Sequence, residues 1–488
     1  MITFFISLAA LVVGYLVYGS FVERVFSPDD RPTPAVAKAD GMDYVAMPYW
    51  KVFMIQFLNI AGTGPIFGAI MGAKFGPAAY LWIVFGCIFA GAVHDYFTGM
   101  LSMRNGGCDL PELVRKYLGG GASKVLLAFA VFLLVMLGTV FVYSPAEILH
   151  GIWGSTTLWI VLIFAYYVVA TMLPIDKIIG KVYPLFSFSL LFMAVALVAV
   201  LVVRMPQLPE LWDGLGNMWK AASPSTFTDS IFPCLFITIA CGAISGFHAT
   251  QSPLMARCLR SERKGRPIFY GAMITEGLVA LVWATVSMWF FYDAPHPGYE
   301  QIAGAADKGF LTSAPMVVNL VCKDWLGLLG GVLAMLGVVA APITSGDTAF
   351  RSARLIIAQA LRLNQCPKKN RLYICVPLFA ASFAMLVWQM ENPDGFNTIW
   401  QYFGWANQTL SVFALWTITV YLVRENKPYV ITLIPALFMT TVCTTFLMVS
   451  NTAFGLPYSV GYTVGGMALC IAIVWFAVWK RNVSKKHI

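Results

Sequence analysis

The feature that most constrains this chain is a succession of apolar runs, each long enough to cross a lipid bilayer. A membrane-spanning helix needs about 20 apolar residues, and we count thirteen such runs. A water-soluble fold cannot bury them all, because 59% of the 488 residues are hydrophobic and only 11% are charged. Soluble domains carry roughly 25% charged residues. The sequence therefore predicts an all-α polytopic membrane protein, built as one transmembrane domain over residues 1–488.

The predicted spans alternate with short polar loops along the whole chain. They cover residues 2–22, 51–73, 78–102, 125–147, 157–173, 182–203, 229–250, 267–292, 326–349, 373–390, 399–422, 429–450 and 457–479.

Lys and Arg are divided unequally between the two sides of the predicted membrane. Of the 32 basic residues, 27 fall in the loops after odd-numbered spans or in the C-terminal tail. Basic loops remain in the cytoplasm, so we predict an external N-terminus and a cytoplasmic C-terminus. The net charge of +9 lies in these loops, and we expect membrane lipid rather than nucleic acid as the partner.

Two of the predicted spans are interrupted by glycine, proline and polar residues. The second span breaks at residues 62–65 (GTGP), and the seventh around residues 242–253 (GAISGFHATQSP). The two are five spans apart, so they cross the membrane in opposite directions. Broken helices at matching positions of two inverted halves are typical of secondary transporters. We predict one repeat at about 51–203 and a second at about 229–422, with accessory helices at 2–22, 429–450 and 457–479.

The breaks supply the candidate substrate site, because unwound backbone near the bilayer centre exposes groups that can bind a solute. Glycine and proline in membrane helices also serve packing or kinks, which is the alternative. The predicted substrate-binding residues are Asn59, Gly62, Thr63, Gly64, Ser245, Gly246, His248 and Gln251.

Ionisable residues within spans are costly and are the candidates for ion coupling. Glu276 in the eighth span is the predicted coupling carboxylate, or else a structural carboxyl. His94 and Asp95 in the third span form a proton relay or a structural clamp. Asp347, at the end of the ninth span, binds Na⁺ or caps a helix. We expect no cofactor beyond H⁺ or Na⁺, and no metal site, because the ten cysteines form no C-x-x-C pair.

The stretch 351–371 (RSARLIIAQALRLNQCPKKNR) combines basic residues with apolar residues at helical spacing. This pattern predicts a helix along the inner membrane surface, or a solvated connecting helix.

Three motifs carry a resemblance to a known family. They lie at 76–96 (GPAAYLWIVFGCIFAGAVHDY), 245–253 (SGFHATQSP) and 342–354 (PITSGDTAFRSAR), with GTGP before the first and RNGG after it. The chain closely resembles the carbon starvation protein A family. The resemblance implies an inner-membrane transporter associated with peptide uptake during carbon starvation, and some relatives take up pyruvate with protons. It also implies a LeuT/APC-like core of two inverted five-helix repeats.

We therefore predict a secondary active importer of peptides, driven by H⁺ or Na⁺, with a proton-coupled pyruvate symporter as the alternative. ATP drive within the chain is not expected, since no G-x-x-x-x-G-K-[ST] loop is present. Two other classes compete with the transporter. A membrane enzyme using His94, Asp95 and His248 lacks a nucleophile motif or paired haem histidines, so we expect no catalytic residues. A nutrient sensor lacks a recognisable signalling domain. The oligomeric state is not predicted.

Overall fold

The computed structural model describes residues 1–172, 175–215, 230–292, 314–365, 367–392 and 395–486. Within these ranges the regular structure is helical, and the strand pairing is limited to an isolated parallel bridge between Met47 and Leu259. The all-α class is confirmed.

The α-helices are numbered in chain order. They are α1 Ile2–Leu16, α2 Tyr18–Phe26, α3 Pro34–Ala37, α4 Tyr49–Ile60, α5 Gly64–Gly72, α6 Ala78–Gly86, α7 Ala92–Arg104, α8 Leu110–Tyr117, α9 Gly120–His150, α10 Thr156–Met172, α11 Ile175–Arg204, α12 Phe236–Thr238, α13 His248–Ala256, α14 Gly271–Tyr292, α15 Ala314–Ala360, α16 Lys368–Glu391, α17 Gly395–Arg424, α18 Val430–Val449 and α19 Tyr458–Lys486. Short 3₁₀ turns lie at Ala73–Phe75, Leu211–Asp213 and Glu262–Lys264, and π-helical turns at Cys87–Gly91, Ile231–Leu235 and Arg266–Tyr270.

The described chain contains ten helical segments long and apolar enough to cross a membrane, and an eleventh if the bent pair α4 and α5 is one span. This confirms a multi-pass membrane protein. Two predicted spans are not among these segments. The span at 157–173 corresponds to the shorter apolar helix α10, and the span at 229–250 corresponds to an interrupted stretch. The count of thirteen spans and the inverted repeat stay predictions.

The first break separates α4 from α5, whose axes are bent by 45°. Ala61 leaves the helical region with φ −80° and ψ 54°. Pro65 is near the start of α5, where its missing N–H costs nothing, whereas inside a continuous helix it would remove a hydrogen bond. The predicted interruption at residues 62–65 is thus confirmed, and its physical cause is the proline and its glycine neighbours.

The second break lies between α12 and α13. The chain leaves the helix at Ile239, with φ −97° and ψ 73°, and re-enters it at His248. Gly242 has φ +91°, and an added Cβ there would also collide with Ala280 on α14. Only glycine adopts this conformation at little cost. The sequence predicted this interruption as well.

The two breaks lie at the centre of the helical packing. Helix α5 packs against α14, α13 packs against α7, and α15 runs alongside α9 and α11 while also contacting α4. Every residue from 55 to 80 and from 239 to 259 is buried. Neither interrupted segment therefore faces lipid. This is expected, because backbone groups freed at a break cannot form hydrogen bonds in lipid.

The prediction of a surface or solvated helix at 351–371 is wrong for residues 351–358, which are buried except for the half-buried Ile357. Helix α15 continues to Ala360, and Arg351 and Arg354 are completely buried. The Nη2 group of Arg354 donates to Asp43 Oδ1 at 3.2 Å, and Nη2 of Arg351 donates to the Ala170 carbonyl at 2.9 Å. The guanidinium groups enter the protein because a carboxylate and a helix-end carbonyl accept their hydrogen bonds.

Candidate functional site

His248 is the first residue of α13 and contacts carboxylates from two other helices. Its Nδ1 lies 2.8 Å from Asp95 Oδ2 on α7, and its Nε2 lies 3.4 Å from Glu276 Oε2 on α14. All three side chains are completely buried. The sequence predicted each residue separately, and the structure brings them into one cluster.

His94 extends this cluster on the α7 side. Its Nδ1 lies 2.8 Å from Asp95 Oδ1, so the two oxygens of Asp95 face two different imidazoles. The open alternative of a relay or a clamp for His94 and Asp95 stays open, because the geometry fits both. As a clamp, Asp95 would hold the start of α13 through its contact with His248.

Neither carboxylate oxygen of Glu276 accepts a hydrogen bond of standard geometry from the described residues, although the backbone N–H of Gly242 approaches it. The contact with His248 is within ion-pair distance but lacks hydrogen-bond geometry. A buried carboxylate is expensive unless it is paired, so an ionised Glu276 depends on its contact with His248.

Cys241 completes the cluster from within the second break, and the sequence analysis did not single it out. Its sulfur, a ring nitrogen of His248 and a carboxylate oxygen of Glu276 all lie within 4.8 Å of one another. These three atoms are of types that hold transition metals. The sequence feature that could have identified Cys241 is its position in the same break as Ser245 and His248. Its apolar neighbours made it look like an ordinary buried cysteine.

The first break lies directly against the second. A Cβ added to Gly64 would overlap Cys241, and one added to Gly62 would meet Phe141 and, at 3.1 Å, the hydroxyl of Ser345. Ser345 Oγ is within hydrogen-bond distance of the carbonyl oxygens of Leu58 and Asn59, at 3.1 and 2.9 Å. Helix α15 therefore binds the C-terminal end of α4.

Two polar side chains at the first break have no partner in the described structure. These are the Thr63 hydroxyl and both polar atoms of the Asn59 side chain, and all are buried. Buried polar groups are nearly always hydrogen-bonded. Unpaired groups at a break are therefore available to a ligand.

Asn407 on α17 fixes the shape of the second break. Its Oδ1 accepts from Ser245 Oγ at 3.0 Å and from the Phe247 N–H at 2.7 Å, and its carbonyl accepts from the Gly246 N–H at 3.1 Å. Because Cβ at Gly246 would overlap this helix, glycine there is required by close approach. Gly246 thus contacts α17, which leaves its predicted role in substrate binding untested.

Two predicted site residues make their contacts elsewhere. Gln251 donates to Thr250 at 2.9 Å and to Ser352 on α15 at 3.3 Å. Asp347 accepts from the Tyr183 hydroxyl at 2.7 Å, and its other carboxylate oxygen has no hydrogen-bond partner in the described part of the chain. Their described contacts do not join them to the His248 cluster, and their predicted roles stay predictions.

The N-terminal ends of α5 and α13 both begin at the breaks. Helix N-termini carry a partial positive charge and bind carboxylates. Each of these N-termini can therefore attract an anionic group of a solute, and that of α13 lies at the buried cluster of ionisable side chains, because His248 is its first residue. An all-helical membrane protein with this organisation has the architecture of a secondary transporter.

The comparison with known families agrees with that architecture. The family model of carbon starvation protein CstA matches residues 1–152, 141–319 and 303–446. The chain belongs to the carbon starvation protein CstA family.

Several relatives cover much of the chain. An uncharacterised membrane protein of Haemophilus influenzae is 45% identical over 62% of this chain and 94% of its own length. The peptide transporter CstA of Bacillus subtilis is 28% identical over 98% of this chain and 96% of its own length. The pyruvate/proton symporter BtsT of Escherichia coli is 29% identical over 57% of this chain and 47% of its own length.

The fold is similar to that of a solved transporter. The manganese transporter of Eremococcus coleocola matches with a TM-score of 0.59 at 11% identity, over 91% of this chain and 99% of that one. At this identity the likeness shows the fold alone.

Proposed function

We propose that this protein is a secondary active transporter that imports peptides across the inner membrane when carbon is scarce. The observation that carries this proposal is the contact between the two breaks at Gly64 and Cys241. Helix α5 begins at Gly64, and α13 begins at His248 at the end of the second break. A peptide presents a carboxylate to such N-termini. The Bacillus subtilis relative, named a peptide transporter, supports the same substrate class.

A second substrate, pyruvate, is favoured by how closely the breaks pack. No Cβ fits between Gly64 and Cys241, and the candidate substrate residues are buried. A three-carbon carboxylate needs less rearrangement here than a peptide does. The Escherichia coli relative named a pyruvate/proton symporter supports the same substrate.

Import against a gradient needs a co-transported ion, and we infer H⁺ or Na⁺. The ionisable residues to which the sequence assigns coupling, His94, Asp95, Glu276 and Asp347, are all buried. The proposal includes the inverted repeats at 51–203 and 229–422, which would make the two breaks structural equivalents. It involves no catalytic residue and no nucleic acid.

The test is uptake into proteoliposomes of labelled dipeptide and labelled pyruvate, side by side, under an inward H⁺ or Na⁺ gradient. Protein-free liposomes are the control. Accumulation of the dipeptide confirms the proposal, and accumulation of pyruvate alone changes the substrate while keeping the mechanism. Absence of accumulation for both substrates with both ions, in protein that still binds one of them, would replace the transporter with a nutrient sensor.

A further inference from the structure

We propose that Cys241, His248 and Glu276 form a binding site for a divalent transition-metal ion, with Zn²⁺ as the ion that this ligand set favours. The proposal rests on the position and hydrogen bonding of these three side chains.

The three ligand atoms converge from two separate parts of the chain. Cys241 and His248 come from the second break, and Glu276 comes from α14. Their donor atoms lie within 4.8 Å of one another, and His248 Nε2 and Glu276 Oε2 are 3.4 Å apart. Two ligands of one Zn²⁺, each about 2.0–2.2 Å from the ion in tetrahedral geometry, are separated by a similar distance.

Among the described residues, the ion-pair partner of Glu276 is His248, at 3.4 Å. Apart from an approach by the Gly242 N–H, neither oxygen of Glu276 accepts a hydrogen bond among the described residues, and the side chain has no exposed surface. Buried charges in proteins are paired or coordinate metals. One divalent cation would balance the two negative charges of a ligating thiolate and carboxylate, while the third acidic group of the cluster, Asp95, faces His94 and His248.

His248 is oriented as a metal ligand would be. Its Nδ1 faces Asp95 at 2.8 Å, and Asp95 is held in turn by His94 at 2.8 Å. Metal-ligating histidines usually donate their other ring N–H to a carboxylate, which directs the free lone pair toward the ion. Here that free nitrogen is Nε2, on the side of Glu276 and Cys241.

The sulfur of Cys241 also has a supporting hydrogen bond. Asn407 Nδ2 donates to it at 3.7 Å, within the range of a sulfur acceptor. The same sulfur lies 3.5 Å from the hydroxyl oxygen of Ser245, to which the thiol donates. A set of one sulfur, one imidazole and one carboxylate selects Zn²⁺ and similar ions over Mg²⁺ or Ca²⁺, which prefer oxygen ligands.

Three protein ligands leave one position of a tetrahedral ion open. If the transport proposal is correct, a substrate carboxylate would occupy that position between the two half-helices. A bound ion also changes the role of Glu276, which becomes a ligand instead of the coupling carboxylate predicted from the sequence.

The experiment is a titration of the purified, chelator-treated protein with Co²⁺, which reports sulfur ligation through a near-ultraviolet charge-transfer band. Three variants accompany the wild type: Cys241→Ser, Glu276→Gln and, as a matched control, Cys443→Ser, which changes a buried cysteine on α18. Metal content after incubation with Zn²⁺ is measured on the same samples.

We expect about one equivalent of Co²⁺ to bind to the wild type and to Cys443→Ser with the sulfur band. Cys241→Ser should lose the band, and Glu276→Gln should weaken binding by about 10-fold or more. Absence of the band in the wild type, or an unchanged band in Cys241→Ser, would overturn the site and leave His248 as an ion-paired residue.

Failure of the metal site is distinguishable from failure of the transport proposal. Uptake by protein that binds no Co²⁺ would overturn the metal site alone. Co²⁺ binding without uptake of either substrate would overturn the transport proposal alone.

Discussion

Asp109 is a buried carboxyl that lies outside the membrane-spanning segments. It precedes α8, is 5% exposed, and its Oδ2 has no hydrogen-bond partner in the described structure. Burial raises the pKa of this carboxyl from 3.8 to about 7, although Arg257 acts in the opposite direction.

The raised pKa of Asp109 predicts a pH-dependent stability. Between about pH 4 and pH 7 the unfolded chain loses this proton while the folded protein retains it, so the free energy of unfolding falls as pH rises through that window. Asp109→Asn should remove this loss, and asparagine is also a good N-cap residue. In thermal unfolding of detergent-purified protein, we expect the variant to be more stable than the wild type at pH 8, with a smaller difference at pH 5.

The control for this prediction is Glu425→Gln, which changes an exposed carboxylate. It should behave as the wild type at both pH values. An Asp109→Asn variant with the same stability difference at pH 5 and pH 8 would show that burial does not control this carboxyl.

Residue identity was more predictable than residue contact. The intramembrane position of His94, Asp95, His248 and Glu276 made each a candidate from the sequence alone. That Asp95 and His248, 153 residues apart, are in contact depends on how α7 and α13 pack, which no local pattern encodes. Cys241 was missed for the same reason, since a cysteine among apolar residues acquires a role only through its neighbours in space.

At the scale of helices, the two breaks were predictable because glycine and proline act locally on the backbone. The burial of α15 at residues 351–358 was not predictable in this way. The same pattern of basic and apolar residues at helical spacing fits two kinds of helix. One lies on the membrane surface, and the other buries its arginines inside the protein. The distinction depends on Asp43, a residue 311 positions from Arg354, and on the Ala170 carbonyl.

The contact between α5 and Cys241 in the second break predicts a specific intolerance at Gly64. A methyl group there would overlap both Cys241 Sγ and Cβ, so Gly64→Ala should lower stability by about 1–3 kcal/mol. Gly466→Ala is the matched control, because a Cβ at that helical position meets nothing within 4 Å. Thermal unfolding of the two purified variants measures the difference.

A second variant separates a local collision from a general defect. Removing the opposing side chain with Cys241→Gly in the Gly64→Ala background should recover part of the lost stability, because the methyl group then has room. Equal stability of Gly64→Ala and Gly466→Ala would contradict the close approach of the two breaks.

At the scale of the whole molecule, several loops that the charge pattern assigned to the cytoplasm contact one another. Arg104 binds Glu262 at 3.1 Å and the Ser27 carbonyl at 2.7 Å, and Arg263 binds Asp30 at 2.6 Å. These residues follow the first, third and seventh predicted spans. Their contact places the three loops at one end of the protein, as alternating spans require.

The charge asymmetry further predicts which end faces the cytoplasm. With 27 of 32 basic residues on one side, the C-terminus should be cytoplasmic. A fluorescent-protein fusion at residue 488 should fluoresce, and an alkaline phosphatase fusion at the same position should be inactive. The reverse pair of results would invert the topology and the assigned direction of the two broken helices.

The central claim is that the two breaks form a single substrate site, and a double-mutant cycle tests it most directly. Thr63→Val changes the first break and Ser245→Ala the second, and Kd for the transported substrate is measured for the wild type, both single variants and the double variant. Each single variant should raise Kd without lowering protein yield. We expect the two effects to be coupled by about 0.5–3 kcal/mol, as for residues that share a ligand. Effects on Kd that multiply independently in the double variant would contradict a shared site.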